Sequence, residues 1–290
     1  MSYYGLPSLK RPHWKWHIPL YFFVSGLAGA SYLIATLGEW LGAPSDRPIV
    51  AAGRRLALGG VAAGVPLLVD DLGRPTRFHH MLRIVKPRSP MSLGSWALAV
   101  FGAFAAGSLL LQELNAPGWL RRLVGLCGLP FATFVASYTG VLLAATAVPL
   151  WARGRLFLPP LFLLSGTSTA LALIGLLSRR PERLRSLELT ALVGELCAAA
   201  ALIAALGRVI GRPLRSGRPA PVFWVGAVGL GQVVPVVLGA AGSHARGRAG
   251  ALEAVGAAAV VAGGLLMRWS IVEAGKYSAD DPEAARAHHG

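Results

Sequence analysis

The sequence predicts an all-α integral membrane protein with eight transmembrane helices arranged as two four-helix bundles. Eight stretches of roughly twenty mostly apolar residues follow one another with short connections, each long enough to cross a hydrocarbon core of ~30 Å as a helix. The chain is 54% hydrophobic and 14% charged, a balance that a soluble protein of 290 residues would struggle to bury. Its Lys and Arg lie almost entirely between the apolar stretches, so the net charge of +15 reads as contact with lipid headgroups, and no nucleic-acid partner is expected.

The elements follow in order. Residues 1–16 form a polar, aromatic N-terminal segment, and the first span covers 17–38. That span is longer than the apolar core of a signal peptide and has no convincing cleavage site after it, so it is expected to stay in the mature chain. Its run Gly26-Leu27-Ala28-Gly29-Ala30 suits close backbone contact between helices in lipid. The second span, 50–71, is stopped by Gly73 and Pro75. An interfacial loop, 72–90, leads to the third span at 91–113. Within it Phe78, Met81, Leu82 and Val85 recur at i, i+3, i+4 and i+7 with Arg77, His80, Arg83 and Lys86 between them, the pattern of a short amphipathic helix along the interface. Such a helix can cover a site, dock a partner, or simply place its cations among phosphates. The fourth span, 123–150, completes a first bundle over 17–150. Spans at 156–177, 187–207, 221–241 and 250–272 make the second bundle over 156–272, and 273–290 is a polar tail. Gly226-Ala227-Val228-Gly229 is again a helix-packing surface. Cys127 and Cys197 fall inside spans without a CxxC partner, which predicts packed thiols, neither a disulfide nor a metal ligand.

An even number of spans puts both termini on one side. That side carries sixteen Lys and Arg against eleven on the other, a lean toward cytoplasmic termini. Ionisable groups inside spans are costly and therefore candidates for function. Glu195 lies in the middle of span 6, Gln232 in span 7 and Arg268 late in span 8. Two readings stay open for them: a proton pathway toward the far face, or a structural buried pair. Glu39 and Glu113 end spans 1 and 3, where solvated helix ends are expected.

The segment Asp70-Asp71-Leu72-Gly73-Arg74-Pro75 resembles the signature of the NrfD/PsrC-type polysulfide reductase membrane subunits, whose second span runs into an Asp-Leu-Gly-Arg-Pro loop. Further similar runs are Ile18-Pro19-Leu20-Tyr21-Phe22-Phe23 in span 1, Ser92-Leu93-Gly94-Ser95-Trp96 in span 3, Ser137-Tyr138-Thr139-Gly140 in span 4, and Gly263-Gly264-Leu265-Leu266-Met267-Arg268-Trp269 in span 8. Spans 5 to 7 add little to the resemblance beyond hydrophobicity. The resemblance implies a quinone-binding membrane anchor of a multi-subunit oxidoreductase in a prokaryotic inner (plasma) membrane, itself non-catalytic or quinone-reactive. It implies menaquinone or ubiquinone as the small molecule. It implies a ferredoxin-like iron–sulfur subunit and a molybdopterin catalytic subunit as partners, docked over Arg74, Arg77, His80, Arg83 and Lys86. It carries over His17, Tyr21, Asp71 and Tyr138 as the quinone site, and a second-bundle proton route fits Glu195, Gln232 and Arg268. Each of the four has another reading: His17 and Tyr21 as part of an interfacial aromatic belt, Asp71 as an ion-pair partner of Arg74, Tyr138 as a packed aromatic. No embedded haem and no iron–sulfur cluster is expected in this chain, because the seven histidines all lie at span ends or in loops, whereas a membrane haem takes axial ligands from within spans. The alternative from another class is a small secondary transporter, although the two halves show no paired broken segments.

Overall fold

The computed structural model describes residues 9–72, 74–178, 182–242 and 249–289. The described residues are overwhelmingly helical and contain no strand. Among the described residues seven helices are long and apolar enough to cross a membrane, and a shorter apolar helix, Val222–Leu238, lies between the last two of them. The protein is an all-α, multi-pass membrane protein.

The helices are α1 (His17–Leu41), α2 (Arg47–Asp70), α3 (Pro90–Glu113), α4 (Gly118–Ala144), a short α5 (Pro149–Arg153), α6 (Leu158–Leu177) and α7 (Glu182–Ile210). A short α8 (Arg212–Arg215), a π-helical stretch (Val222–Val233) continued by α9 (Val234–Gly242), α10 (Ala249–Asp280) and α11 (Pro282–His289) complete the order. Proline sets many of the starts, since its missing N–H is unpaired there in any case: α2, α3, α5, α6 and α8 all carry one in their first two positions. Ser89 adds a cap to α3 by accepting from the Ser92 amide. Helix α7 is kinked at Gly207, whose φ of 66° and ψ of −166° suit glycine alone.

Helix α1 is the hub, packed on α2, α4, α6 and α10. Small residues permit this: Gly29 lies against the Ala132 carbonyl and Ala136 of α4, Gly53 of α2 against Ser31, and Gly166 of α6 against the backbone of Gly26. Gly231 of the π-helical stretch meets the backbone of Gly263 of α10 in the same way.

Several expectations change in detail. Span 4 ends at Ala144 rather than 150, because Val148 is extended and Pro149 opens a new helix. The place expected for span 7 begins as a π-helix, a wider and shorter coil for its residue count. Helix α10 continues to Asp280, past the expected end at 272. The amphipathic loop helix is a 3₁₀ segment, Pro75–Leu82, with Phe78 and Leu82 exposed. Cys127 and Cys197 are exposed on the outer surface of the helices, so neither is the packed thiol expected. Glu39 is not a solvated end. Its side chain is 9% exposed and pairs with Arg54 of α2 and, at 3.0 Å, with Arg121 of α4, while Arg54 also donates to Gln112 of α3 at 3.0 Å. Glu113 is the exposed end expected, in a surface pair with Arg55.

Candidate functional site

The four residues carried over for a quinone site come from three helices and meet at one end of the protein. His17 opens α1 and Tyr21 lies one turn further on the same face. Asp71 directly follows α2. Tyr138 belongs to α4, and its hydroxyl donates to the carbonyl of Pro90, the first residue of α3. This contact places the phenol level with the start of α3 and hence beside the loop that joins α2 to α3.

Close packing holds Tyr138. Its ring stacks on Phe134 at 5.0 Å between centroids and lies on Gly94, where a Cβ would collide with the phenol. Tyr21 is buried, covers Gly64 of α2, and is an electrostatic neighbour of Tyr138. At the surface end, His17 Nε2 lies 2.9 Å from Asp70 Oδ2, and its ring sits on Trp16 at 4.0 Å between centroids. The other ring nitrogen, Nδ1, is buried and has no hydrogen-bond partner among the described residues. Asp71 is partly buried beside this pair. Loss of water raises its carboxyl above the usual carboxylate range, His17 and Lys15 pull it down, and Asp70 pushes it up.

Two cavities flank the last turn of α2, and Val69 borders both. One, of about 220 Å³, is walled by α2, the 3₁₀ segment and α3, with Leu68, Phe78, Met81 and Leu98 among its apolar lining and Ser95 as a polar contribution. The other, of about 400 Å³, is bordered by Trp16, His17, Pro66, Asp70 and Pro75. His17 therefore faces a cavity directly, whereas Tyr21, Asp71 and Tyr138 border neither of these two. The structure thus joins Tyr21 to Tyr138 and His17 to Asp71 but does not gather all four around one space. Arg74, Arg77, His80, Arg83 and Lys86 are all exposed along the adjoining loop.

The second set is buried among other helices. Arg268 of α10 is fully buried and its guanidinium makes four hydrogen bonds among the described residues. Nε donates to the Phe22 carbonyl of α1 at 3.0 Å, Nη1 to Ser165 Oγ at 3.0 Å and the Gly264 carbonyl at 2.9 Å, and Nη2 to the Phe162 carbonyl at 3.0 Å. The rings of Phe162 and Phe23 lie 5.3 and 5.9 Å from its charge. Glu195 of α7 accepts from Ser168 Oγ at 2.8 Å, and Ser165 stands between it and Arg268. Gln232, in the π-helical stretch, is buried beside Glu195, without a hydrogen bond of normal geometry to its amide. All three residues expected to form this set are therefore neighbours, and serines of α6 bridge Glu195 to Arg268.

Those serines and Asp70 escaped the sequence reading. Ser165-Gly166-Thr167-Ser168-Thr169 is a polar run inside an apolar span and was the available signal. The choice between the adjacent carboxylates Asp70 and Asp71 depends on the phase of the last helical turn, which residue types alone do not give.

A family model described as polysulphide reductase, NrfD, matches residues 8–278. The sequence is 30% identical to the C subunit of polysulfide reductase from Wolinella succinogenes, with 91% of this protein and 94% of that one aligned. It is 26% identical to protein NrfD of Escherichia coli K12, over 91% of this protein and 95% of that one. These matches do not favour the transporter reading.

Proposed function

The chain belongs to the NrfD polysulphide reductase family, and from that premise we propose that it is the quinone-reactive membrane anchor of a multi-subunit oxidoreductase in a prokaryotic inner membrane. It passes electrons and protons between the membrane quinone pool, menaquinone or ubiquinone, and an iron–sulfur subunit, with a molybdopterin subunit beyond it. The observation that carries this reading is the clustering at one membrane end of two buried phenols, a buried imidazole nitrogen and a desolvated carboxyl, next to an apolar cavity that opens between helices.

A quinone headgroup needs hydrogen-bond donors at two carbonyl oxygens and a source of protons on reduction. The phenol of Tyr138 can turn from the Pro90 carbonyl to a quinone oxygen, with Tyr21 behind it. His17, at the start of α1, holds Nδ1 without a partner among the described residues. Asp71, which binds a proton more readily than a free carboxylate, exchanges protons with the aqueous face. The apolar cavity between α2, the 3₁₀ segment and α3 suits an isoprenoid chain. The exposed cations Arg74, Arg77, Arg83 and Lys86, with His80, offer an acidic partner a complementary surface. Glu195 and Arg268, linked through Ser165 and Ser168, form a proton pathway in the second helix group with Gln232 beside Glu195.

The test is quinone-coupled turnover of the assembled complex. Tyr138→Phe and Asp71→Asn should each lower it by about 10²-fold or more, the scale of a lost proton-transfer group, while the subunits still co-purify. Wild-type turnover in both variants would remove these residues from the site.

A further inference from the structure

We infer that Asp70, not Asp71, is the positioning residue for His17: it fixes the imidazole in the tautomer whose bare Nδ1 meets a hydroquinone hydroxyl. The inference rests on the quinone-site reading above. Its basis is geometric. A carboxylate only accepts hydrogen bonds, so the 2.9 Å contact between His17 Nε2 and Asp70 Oδ2 requires the hydrogen on Nε2. In the neutral ring that leaves Nδ1 as a lone-pair acceptor, and Nδ1 is buried with no partner among the described residues. A buried acceptor left without a partner costs free energy unless a ligand supplies the donor. His17 borders the larger cavity, as does Asp70, so a ligand there lies against the ring whose Nδ1 still lacks a donor. Trp16 packs on the ring at 4.0 Å between centroids.

The chemistry follows from the two nitrogens. A hydroquinone O–H donates to Nδ1; as the O–H bond breaks and the N–H bond forms, the ring becomes an imidazolium beside the Asp70 carboxylate. The two electrons of the resulting quinol anion leave separately, one at a time, to the iron–sulfur clusters of the partner, and the proton of its second hydroxyl leaves by way of Asp71. After quinone leaves, the imidazolium gives up the first proton from Nδ1 to water entering the cavity, so the ring regains the Nε2–H tautomer that Asp70 holds; the side chain of Asp70 is 67% exposed and that of His17 12%. Reduction of quinone runs the same steps backward. Asp70 in this scheme never touches the quinone. The charged and titratable neighbours are Lys15 from the N-terminal segment, Asp70 and Asp71 from the end of α2, and Tyr21 one turn along α1, with Tyr138 behind it.

The test compares Asp70→Asn, Asp70→Glu, His17→Gln and Tyr138→Phe in the purified complex, with a short-tailed quinol as substrate and kcat, KM and the pH profile as readouts. Asp70→Asn can donate to Nε2 and moves the hydrogen to Nδ1, which turns the acceptor into a donor. It should lower kcat by about tenfold or more and shift the acid limb of the profile, as expected for a wrong tautomer, with Asp70→Glu restoring both. Because the Asp70 side chain is largely exposed, the variant complex should assemble and melt as the wild type does. If Asp70→Asn retains wild-type kcat and pH profile while His17→Gln or Tyr138→Phe loses activity, the role of Asp70 is wrong and the quinone site stands. Unchanged turnover in His17→Gln and Tyr138→Phe as well would overturn the site itself.

Discussion

The imidazole of His17 shows how little of a site lies in residue type alone. Its identity and its place at the start of α1 are plain in the sequence, but the direction of its two nitrogens depends on Asp70, one residue from the carboxylate that the resemblance points to. Asp71 has its own consequence. Its carboxyl is raised by desolvation, so the folded protein binds a proton there more readily than the unfolded chain does. The sign is therefore a gain in stability as pH falls toward the folded value, lost again when pH rises and the carboxylate ionises. Asp71→Asn should remove that pH dependence from thermal melts taken in detergent upward from the usual carboxylate range; a melt profile identical to wild type would show that the group is not desolvated. Gly94 makes a third case, because the phenol of Tyr138 occupies the volume a Cβ would need. Gly94→Ala should displace the ring, weaken quinone binding and leave the complex assembled, as read by a quinone titration. Unaltered affinity would mean that the phenol has room to move.

At the scale of the element, apolar length marked the position of the long helices, because a helix that crosses lipid must be apolar over its full length and its ends must carry charge. The internal geometry was not legible. Nothing in residues 222–233 distinguishes a π-helix from an α-helix by periodicity, since apolar residues and glycines surround the axis. Burial was equally hidden: Glu39 read as a solvated end of a span, yet it pairs with the buried Arg54 between α1 and α2. The kink in α7 is another local decision, since the φ of Gly207 lies where side chains are strained. Gly207→Ala should destabilise the protein by about 1–3 kcal/mol, seen as a lower melting temperature in detergent, and an unchanged melt would show that α7 straightens at no cost.

For the molecule as a whole, Arg268 is the joint. One guanidinium bonds α10 to α1 and α6, and lies across Gly26, so the helices at either end of the sequence depend on it. Arg268→Met keeps the length but leaves Glu195 without its counter-charge. It should lower stability by about 3–5 kcal/mol, the cost of breaking a buried pair, whereas exposed Arg55→Met should cost little. Equal melting temperatures for the two variants would contradict that assignment. The family was readable from the loop after span 2 and from short runs in spans 1, 3, 4 and 8, whereas the contacts that unite α1, α6 and α10 depend on three-dimensional packing and were not. The proposal that this scaffold holds quinone at the end where α1 begins and α2 stops is tested most directly by purifying the tagged protein in mild detergent and identifying both the co-purifying polypeptides and the extracted lipids. The account predicts a ferredoxin-like iron–sulfur subunit together with bound quinone that is lost on Tyr138→Phe; a protein that purifies alone, free of quinone, would contradict it.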